Sequence, residues 1–435
     1  MNAPPARELG FWSATALVVG NTIGMGLFVL PASLAPYGMN ALLGWVVTAA
    51  GILVIAQVFA RMARAYPEAD SPYAYIRATL GNTPAFIALW CYWVSMPVAN
   101  AALAIGIGGY AVAAVPGFAG MSPAVIAFGL IWLCVAVNLL GVRTGGQVQI
   151  ATTLLKLLPI VAVVLLGAWV LFADPGAYMR DVPANAIEGS AVMAAATIAL
   201  FALLGVESAT IPAGRVRDPG RTIPRATMAG AVLTAGVCIA VSAVLILLIP
   251  QAQLAASQAP FTDLLERYSF AGSGRWVAAF VVISGLGALN GWTLVVGGLT
   301  HSMAVHGAFP ARLKNLNSRG APAPALVFTG LFASVMVLLN FSKTMVQGFT
   351  FLTLVVTAAA LPLYLLCACG LAWLAWRGTS ASRREYAVLG ILGTLYCVFW
   401  FVGIGAESFW WAIALAATGV PIQLWMRRSQ GTAAR

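Results

Sequence analysis

The sequence predicts an all-α membrane protein. Its twelve transmembrane helices form a five-plus-five inverted repeat, with helices one and six broken and two extra helices at the C-terminal end. Three observations predict it. The 435 residues are 61% apolar and 8% charged, whereas an ordinary soluble domain carries roughly 25% charged residues. Twelve apolar stretches approach or exceed the roughly 20 helical residues that a hydrocarbon core of about 30 Å requires. Two of those stretches, the first and the sixth, are interrupted at mid-membrane by glycines and polar groups.

The stretches lie at about 11–34, 38–60, 84–113, 121–140, 147–173, 188–212, 226–249, 275–300, 324–341, 345–372, 386–404 and 408–426. Loops between them are short, so the chain reads as one polytopic domain, 1–435. With the N-terminus cytoplasmic, 18 basic residues fall in cytoplasmic segments, and only Arg180, Arg267, Arg275 and Lys343 fall opposite. That asymmetry obeys the positive-inside rule and puts both termini in the cytoplasm. It also accounts for the net charge of +11 without a nucleic-acid partner.

In the first stretch, Gly20, Asn21, Thr22, Ile23, Gly24, Met25 and Gly26 place three glycines and two polar side chains deep in the bilayer. In the sixth, Gly205 stands beside Glu207, Ser208 and Thr210. Interruptions at corresponding positions of two halves point to a central binding site. The first repeat is then 11–173, the second 188–372, and the appended pair 386–426. Each half has five spans, so the two halves must have opposite topology.

Two charges lie deep inside the apolar stretches, Glu207 in span six and Lys156 in span five. An ionisable group there costs about 2.5–3.5 kcal/mol or more and marks a pathway or relay. Mutual neutralisation is the structural alternative. As functional groups, Glu207 is a carboxylate whose proton occupancy follows a transport cycle. Lys156 is a fixed ammonium bracing span one against span five. Tyr92, Trp93, Ser95 and Asn100 share span three, where a polar group must find a partner. Trp292, beside Asn290 and Gly291, offers a ring face to a cation.

Enzyme chemistry finds no support. The six cysteines all fall in apolar stretches, none paired as Cys-x-x-Cys and none near a histidine, so neither a metal site nor a disulfide framework is expected. His301 and His306 cannot assemble a catalytic set, and no nucleotide-binding domain is present to drive a pump. No cofactor is implied, and any transport must run on gradients.

The run Gly20 to Gly26, continued by Leu27, Phe28, Val29, Leu30 and Pro31, resembles the first-span signature of the amino acid–polyamine–organocation superfamily. Gly205, Val206, Glu207 and Ser208, with Asn290, Gly291, Trp292, Thr293 and Leu294, resemble its arginine/agmatine antiporter branch. The resemblance implies the LeuT-type repeat already inferred and a bacterial inner-membrane transporter. It works by alternating access on an amino acid or polyamine, with proton coupling and with membrane lipids as its surroundings. By the same resemblance, the backbone at Ile23, Gly24, Met25 and Gly26 faces a substrate carboxylate, and carbonyls around Phe201 and Leu204 accept from its amino group. Phe201 closes over the substrate, Trp292 gates below it and Asn100 reaches its far end. Glu207 senses protons.

Three positions depart from the antiporter pattern, namely Phe201 for a tryptophan, Met25 for a serine and Pro97 for an aromatic residue. Lys156, within Lys156, Leu157, Leu158, Pro159 and Ile160, resembles the span-five lysine of L-amino acid exchangers and proton-coupled amino acid transporters. The expectation is therefore an exchanger of cationic amino acids or their amines. The alternative is a neutral L-amino acid carrier with Lys156 in place of a coupling sodium ion.

Overall fold

The computed structural model describes residues 10–66, 69, 71–140, 155–209, 216–269, 272–305, 307, 309–378 and 383–422, and these are helical almost throughout. The first apolar stretch is two helices, α1 (Phe11–Thr22) and α2 (Met25–Leu34), bent by 45° across an extended Ile23 and Gly24. Then come α3 (Met39–Ala65), the short α4 (Pro72–Leu80), α5 (Asn82–Ala114), α6 (Pro123–Leu139) and α7 (Leu157–Ala173).

The sixth stretch is broken in turn. Helix α8 (Gly189–Leu200) tightens into a 3₁₀ turn at Phe201–Leu203, extends at Leu204 and resumes as a 3₁₀ turn at Val206–Ala209. Gly205 joins the two with φ of +103°, a left-handed conformation that a Cβ disfavours. After it lie α9 (Pro219–Leu248), two short helices α10 (Gln251–Ala256) and α11 (Pro260–Tyr268), α12 (Ser273–Val305), α13 (Ala323–Leu339) and α14 (Met345–Trp376). Helices α15 (Arg383–Gly403) and α16 (Ala406–Ala417) complete the chain.

Local chemistry sets several of these starts. Ser71 and Ser122 cap α4 and α6, each with proline at the next position, where a missing N–H costs nothing. Thr344 and Gln347 close a reciprocal capping box at the start of α14, satisfying two otherwise orphaned donors.

By length and apolarity α3, α5, α9, α12, α14 and α15 can each cross a bilayer, and α1 with α2 makes a seventh crossing. Helices α6, α7, α8 and α13 are shorter apolar helices within other expected stretches, and α16 occupies the last. Helix α5 runs through the centre against α14, α12, α6 and α13. Helix α3 takes α8 and α9, α1 lies on α9, and α15 packs outside on α14 and α3. At the end remote from the arginine-rich loops, the Tyr110 hydroxyl donates to the Phe28 carbonyl at 2.9 Å and accepts from the Phe261 N–H at 3.2 Å. That joins α5, α2 and α11.

Close crossings depend on small residues, because helices in lipid associate by packing rather than by a hydrophobic drive. At Gly44 of α3 an added Cβ would sit 2.8 Å from the Ala196 backbone nitrogen of α8. Gly236 of α9 has open space beside it. Gly44→Val should therefore cost about 1–3 kcal/mol through overpacking and lower the unfolding temperature of the purified protein, whereas Gly236→Val should leave it nearly unchanged.

Candidate functional site

A helix that stops inside a membrane frees its last carbonyls, and the break in α1 does so at Gly20 and Ile23. Lys156, just before α7, answers both: its Nζ donates to the Gly20 carbonyl at 2.5 Å and to the Ile23 carbonyl at 3.1 Å. The ammonium is buried and sits where the helix dipole favours positive charge. Carbonyls rather than a carboxylate hold it. The hydroxyl of Thr22 shares a 3.0 Å hydrogen bond with that of Thr234, tying the same break to α9.

The other half of the break is the start of α2, whose first N–H groups have no helical acceptor and can receive an anion. Gly26 allows the sixth stretch to close against it: a Cβ there would lie 3.1 Å from the Phe201 ring and 3.3 Å from the Ala202 Cβ.

Glu207, 1% exposed, is the deep carboxylate. Tyr92 of α5 donates to its Oε1 at 2.7 Å and Tyr364 of α14 donates to its Oε2 at 2.6 Å. The Tyr364 oxygen also accepts from the Gly205 N–H at 3.2 Å. One tyrosine thus holds both the carboxylate and the left-handed glycine of the broken sixth stretch. Hydrogen bonds to charged groups contribute about 1.5–3 kcal/mol, and each oxygen of Glu207 receives one.

Between these pieces lies a cavity of about 60 Å³, room for a few waters. Its wall includes Gly24 from the break and Gly26 from α2, Phe201, Leu204 and Glu207 from the sixth stretch, Tyr92 from α5 and Trp292 from α12. Ser95, Met96, Ala99 and Leu103 complete the α5 face, and Val356 and Ala360 come from α14. The wall is mostly apolar, with Glu207 as its carboxylate. Phe201 stands edge-to-face with Phe349 at 5.9 Å.

Of the eleven residues assigned to a binding or coupling role from the sequence, seven therefore meet on one wall and four do not. Lys156 and Ile23 sit behind it, joined through the Ile23 carbonyl. Met25 points into the core, where its sulfur would lie 2.7 Å from a Cβ placed on Gly285. Asn100 is 4% exposed and its Oδ1 has no hydrogen-bond partner among the described residues. The cavity face of α5 runs Tyr92, Ser95, Met96, Ala99, Leu103, a helical stripe, and Asn100 lies at its edge, rotated about 80° from the centre of the stripe.

Tyr364 is the functional residue that sequence reasoning missed. A hydroxyl in the apolar run 361–366 must find a partner in lipid, and that was its available signal. His306 and Thr210 lie outside the described residues.

A family model described as amino acid permease matches residues 9–421. The chain belongs to the amino acid permease family, within the amino acid–polyamine–organocation superfamily. It is an integral membrane transporter family rather than an enzyme family. A Bacillus subtilis (strain 168) protein provisionally named an arginine/ornithine antiporter is 31% identical, with 90% of this chain and 91% of that protein covered. The cadaverine/lysine antiporter of Escherichia coli (strain K12) is 29% identical over 93% of this chain and 91% of its own length. A putrescine transporter of Haemophilus influenzae is 28% identical, with 93% of both chains covered. The solved structure of a sodium-coupled sialic acid symporter shares the LeuT-type fold, with a TM-score of 0.54 at 13% identity over 91% of this permease and 90% of the symporter.

The permease ties Tyr364 to Glu207 by a bond that a double-mutant cycle can read. Tyr364→Phe and Glu207→Gln should each lower the unfolding temperature. The double variant should lose less than the sum, with a coupling of about 1 kcal/mol or more; additive losses would mean the two side chains do not interact.

Proposed function

We propose that this permease is a bacterial inner-membrane exchanger of cationic amino acids and their amines, working by alternating access with both termini cytoplasmic. The observation that carries the reading is the buried Glu207 carboxylate, set in the cavity wall between the two broken helices and held by Tyr92 and Tyr364. Relatives named for arginine, ornithine, lysine, cadaverine and putrescine support it, since all of these substrates carry more than one amino or guanidino nitrogen. The repeat halves are 11–173 and 188–372, with 386–426 appended.

In this reading the substrate carboxylate meets the free N–H groups at the start of α2, around Ile23, Gly24, Met25 and Gly26. Its α-amino group meets carbonyls released near Phe201 and Leu204. Glu207 offsets positive charge and exchanges a proton during the cycle. The Trp292 ring gives a cation a face at low desolvation cost, and Phe201 covers the opposite side. The cavity is smaller than an arginine, so Phe201 and Trp292 must part for entry. Asn100, at the edge of the cavity face of α5, can reach a substrate only if α5 rotates; its unsatisfied amide oxygen gives such a movement a partner to find.

A second reading, a carrier of neutral L-amino acids, draws on Lys156. Its ammonium already occupies the carbonyl cage of the α1 break, so no coupling sodium ion is needed there. The cavity wall also offers no second carboxylate for a distal cationic group.

Purified protein in liposomes preloaded with unlabelled arginine separates the two. Uptake of labelled arginine or an amine that requires internal substrate is the expected outcome. Uptake confined to neutral amino acids would replace the first reading with the second. Glu207→Gln should flatten the pH dependence of exchange; a profile identical to that of the wild type would remove the proton role. Lys156→Ala removes two charge-assisted bonds worth about 1.5–3 kcal/mol each, and exchange should slow by tenfold or more.

A further inference from the structure

On the arginine-rich side of the molecule, α3 and α9 run together and leave a cleft of about 870 Å³ between them, open at the surface. From α3 it takes Gln57, Arg61 and Arg64, spaced as one helical face; from α9 it takes Arg225, Met228, Ala229, Val232 and Leu233, again one face. Phe11 closes it at the start of α1.

Its chemistry is divided along its length. Three guanidinium groups gather at one end. Arg61 is spent on Glu385, to which its Nε donates at 2.7 Å. Arg64 and Arg225 have no ion pair or hydrogen bond among the described residues. The other end is an apolar bed, with Val232 and Leu233 each 53% exposed on the flank of a membrane-crossing helix. Between them lies the Gln57 Oε1, buried without a hydrogen-bond partner. Positive charge at Arg221, in the first turn of α9, opposes its helix dipole. Arginines at span ends do orient a chain in the membrane, but orientation does not require a cleft with an apolar bed beneath it.

We propose that this cleft binds an anionic phospholipid, phosphatidylglycerol serving as the probe. Its phosphate lies between Arg64 and Arg225, and an acyl chain follows Met228, Val232 and Leu233 along α9. A soluble phosphate would satisfy the arginines and leave the apolar bed bare, which is why the site is assigned to a lipid. The lipid would bridge α3 to α9 beside α1, the helix whose break carries Lys156. The assignment is independent of the transported substrate.

The test is thermal unfolding of the full-length protein in detergent, titrated with phosphatidylglycerol, with phosphatidylcholine of the same acyl chains, or with glycerol phosphate. Near a membrane surface each arginine strengthens binding of an anionic lipid about fivefold. Phosphatidylglycerol should therefore stabilise at roughly 25-fold lower concentration than phosphatidylcholine. Arg64→Gln with Arg225→Gln should abolish that preference, and each single variant should weaken it about fivefold should the double variant not fold. Arg312→Gln with Arg319→Gln, outside the cleft, should retain it. Equal response to both lipids, or a preference that survives the loss of Arg64 and Arg225, would overturn the proposal. Glycerol phosphate matching the full lipid would do the same.

Discussion

A backbone carbonyl freed inside a membrane has no water to turn to, and leaving it unanswered costs several kcal/mol. The structure of this permease depends on how that demand is met at the break in the first span. One ammonium, on Lys156, takes the carbonyls of Gly20 and Ile23. Without it, α1 would gain by continuing as a helix through Ile23 and Gly24, and the free N–H groups at the start of α2 would not exist. The charge is therefore conformational in its effect: it makes an interrupted helix tolerable and leaves the first N–H groups of α2 without helical acceptors.

The second break is met by a hydroxyl. Tyr364 accepts from Gly205 and donates to Glu207, so a single side chain from α14 supports the turn and holds the carboxylate that the turn exposes. Tyr92 takes the other carboxylate oxygen from α5. Two of the central helices thereby grip the broken sixth span at one residue. Any movement of that span relative to α5 or α14 must break or trade one of these hydrogen bonds. Glu207 is thus a mechanical joint as well as a charge.

Packing explains why the cavity is small. Gly26 lets Phe201 and Ala202 come to the start of α2, and the apolar wall has little reason to stay open without an occupant. In the proposed reading, admission of a substrate the size of an amino acid is an exchange of side-chain contacts for ligand contacts, with Phe201 and Trp292 the large groups that yield.

The amino-acid sequence by itself determined the membrane class, the two interruptions and the rarity of deep charge, because each is a matter of composition or local spacing. The isolated Lys156 and Glu207 stand out in any apolar run because lipid penalises charge, and the glycines at 20, 24, 26 and 205 stand out by clustering beside polar residues. Partners were another matter. That Lys156 meets carbonyls 136 and 133 residues earlier, that Tyr364 meets Glu207 across 157 residues, and that Asn100 falls at the edge of the cavity stripe of α5 depend on helix rotation and crossing. Those are set by which surfaces pack, and apolar helices in lipid carry too little periodic contrast to reveal their inward faces. The tertiary structure alone decided them, because only packed neighbours choose which way a helix turns.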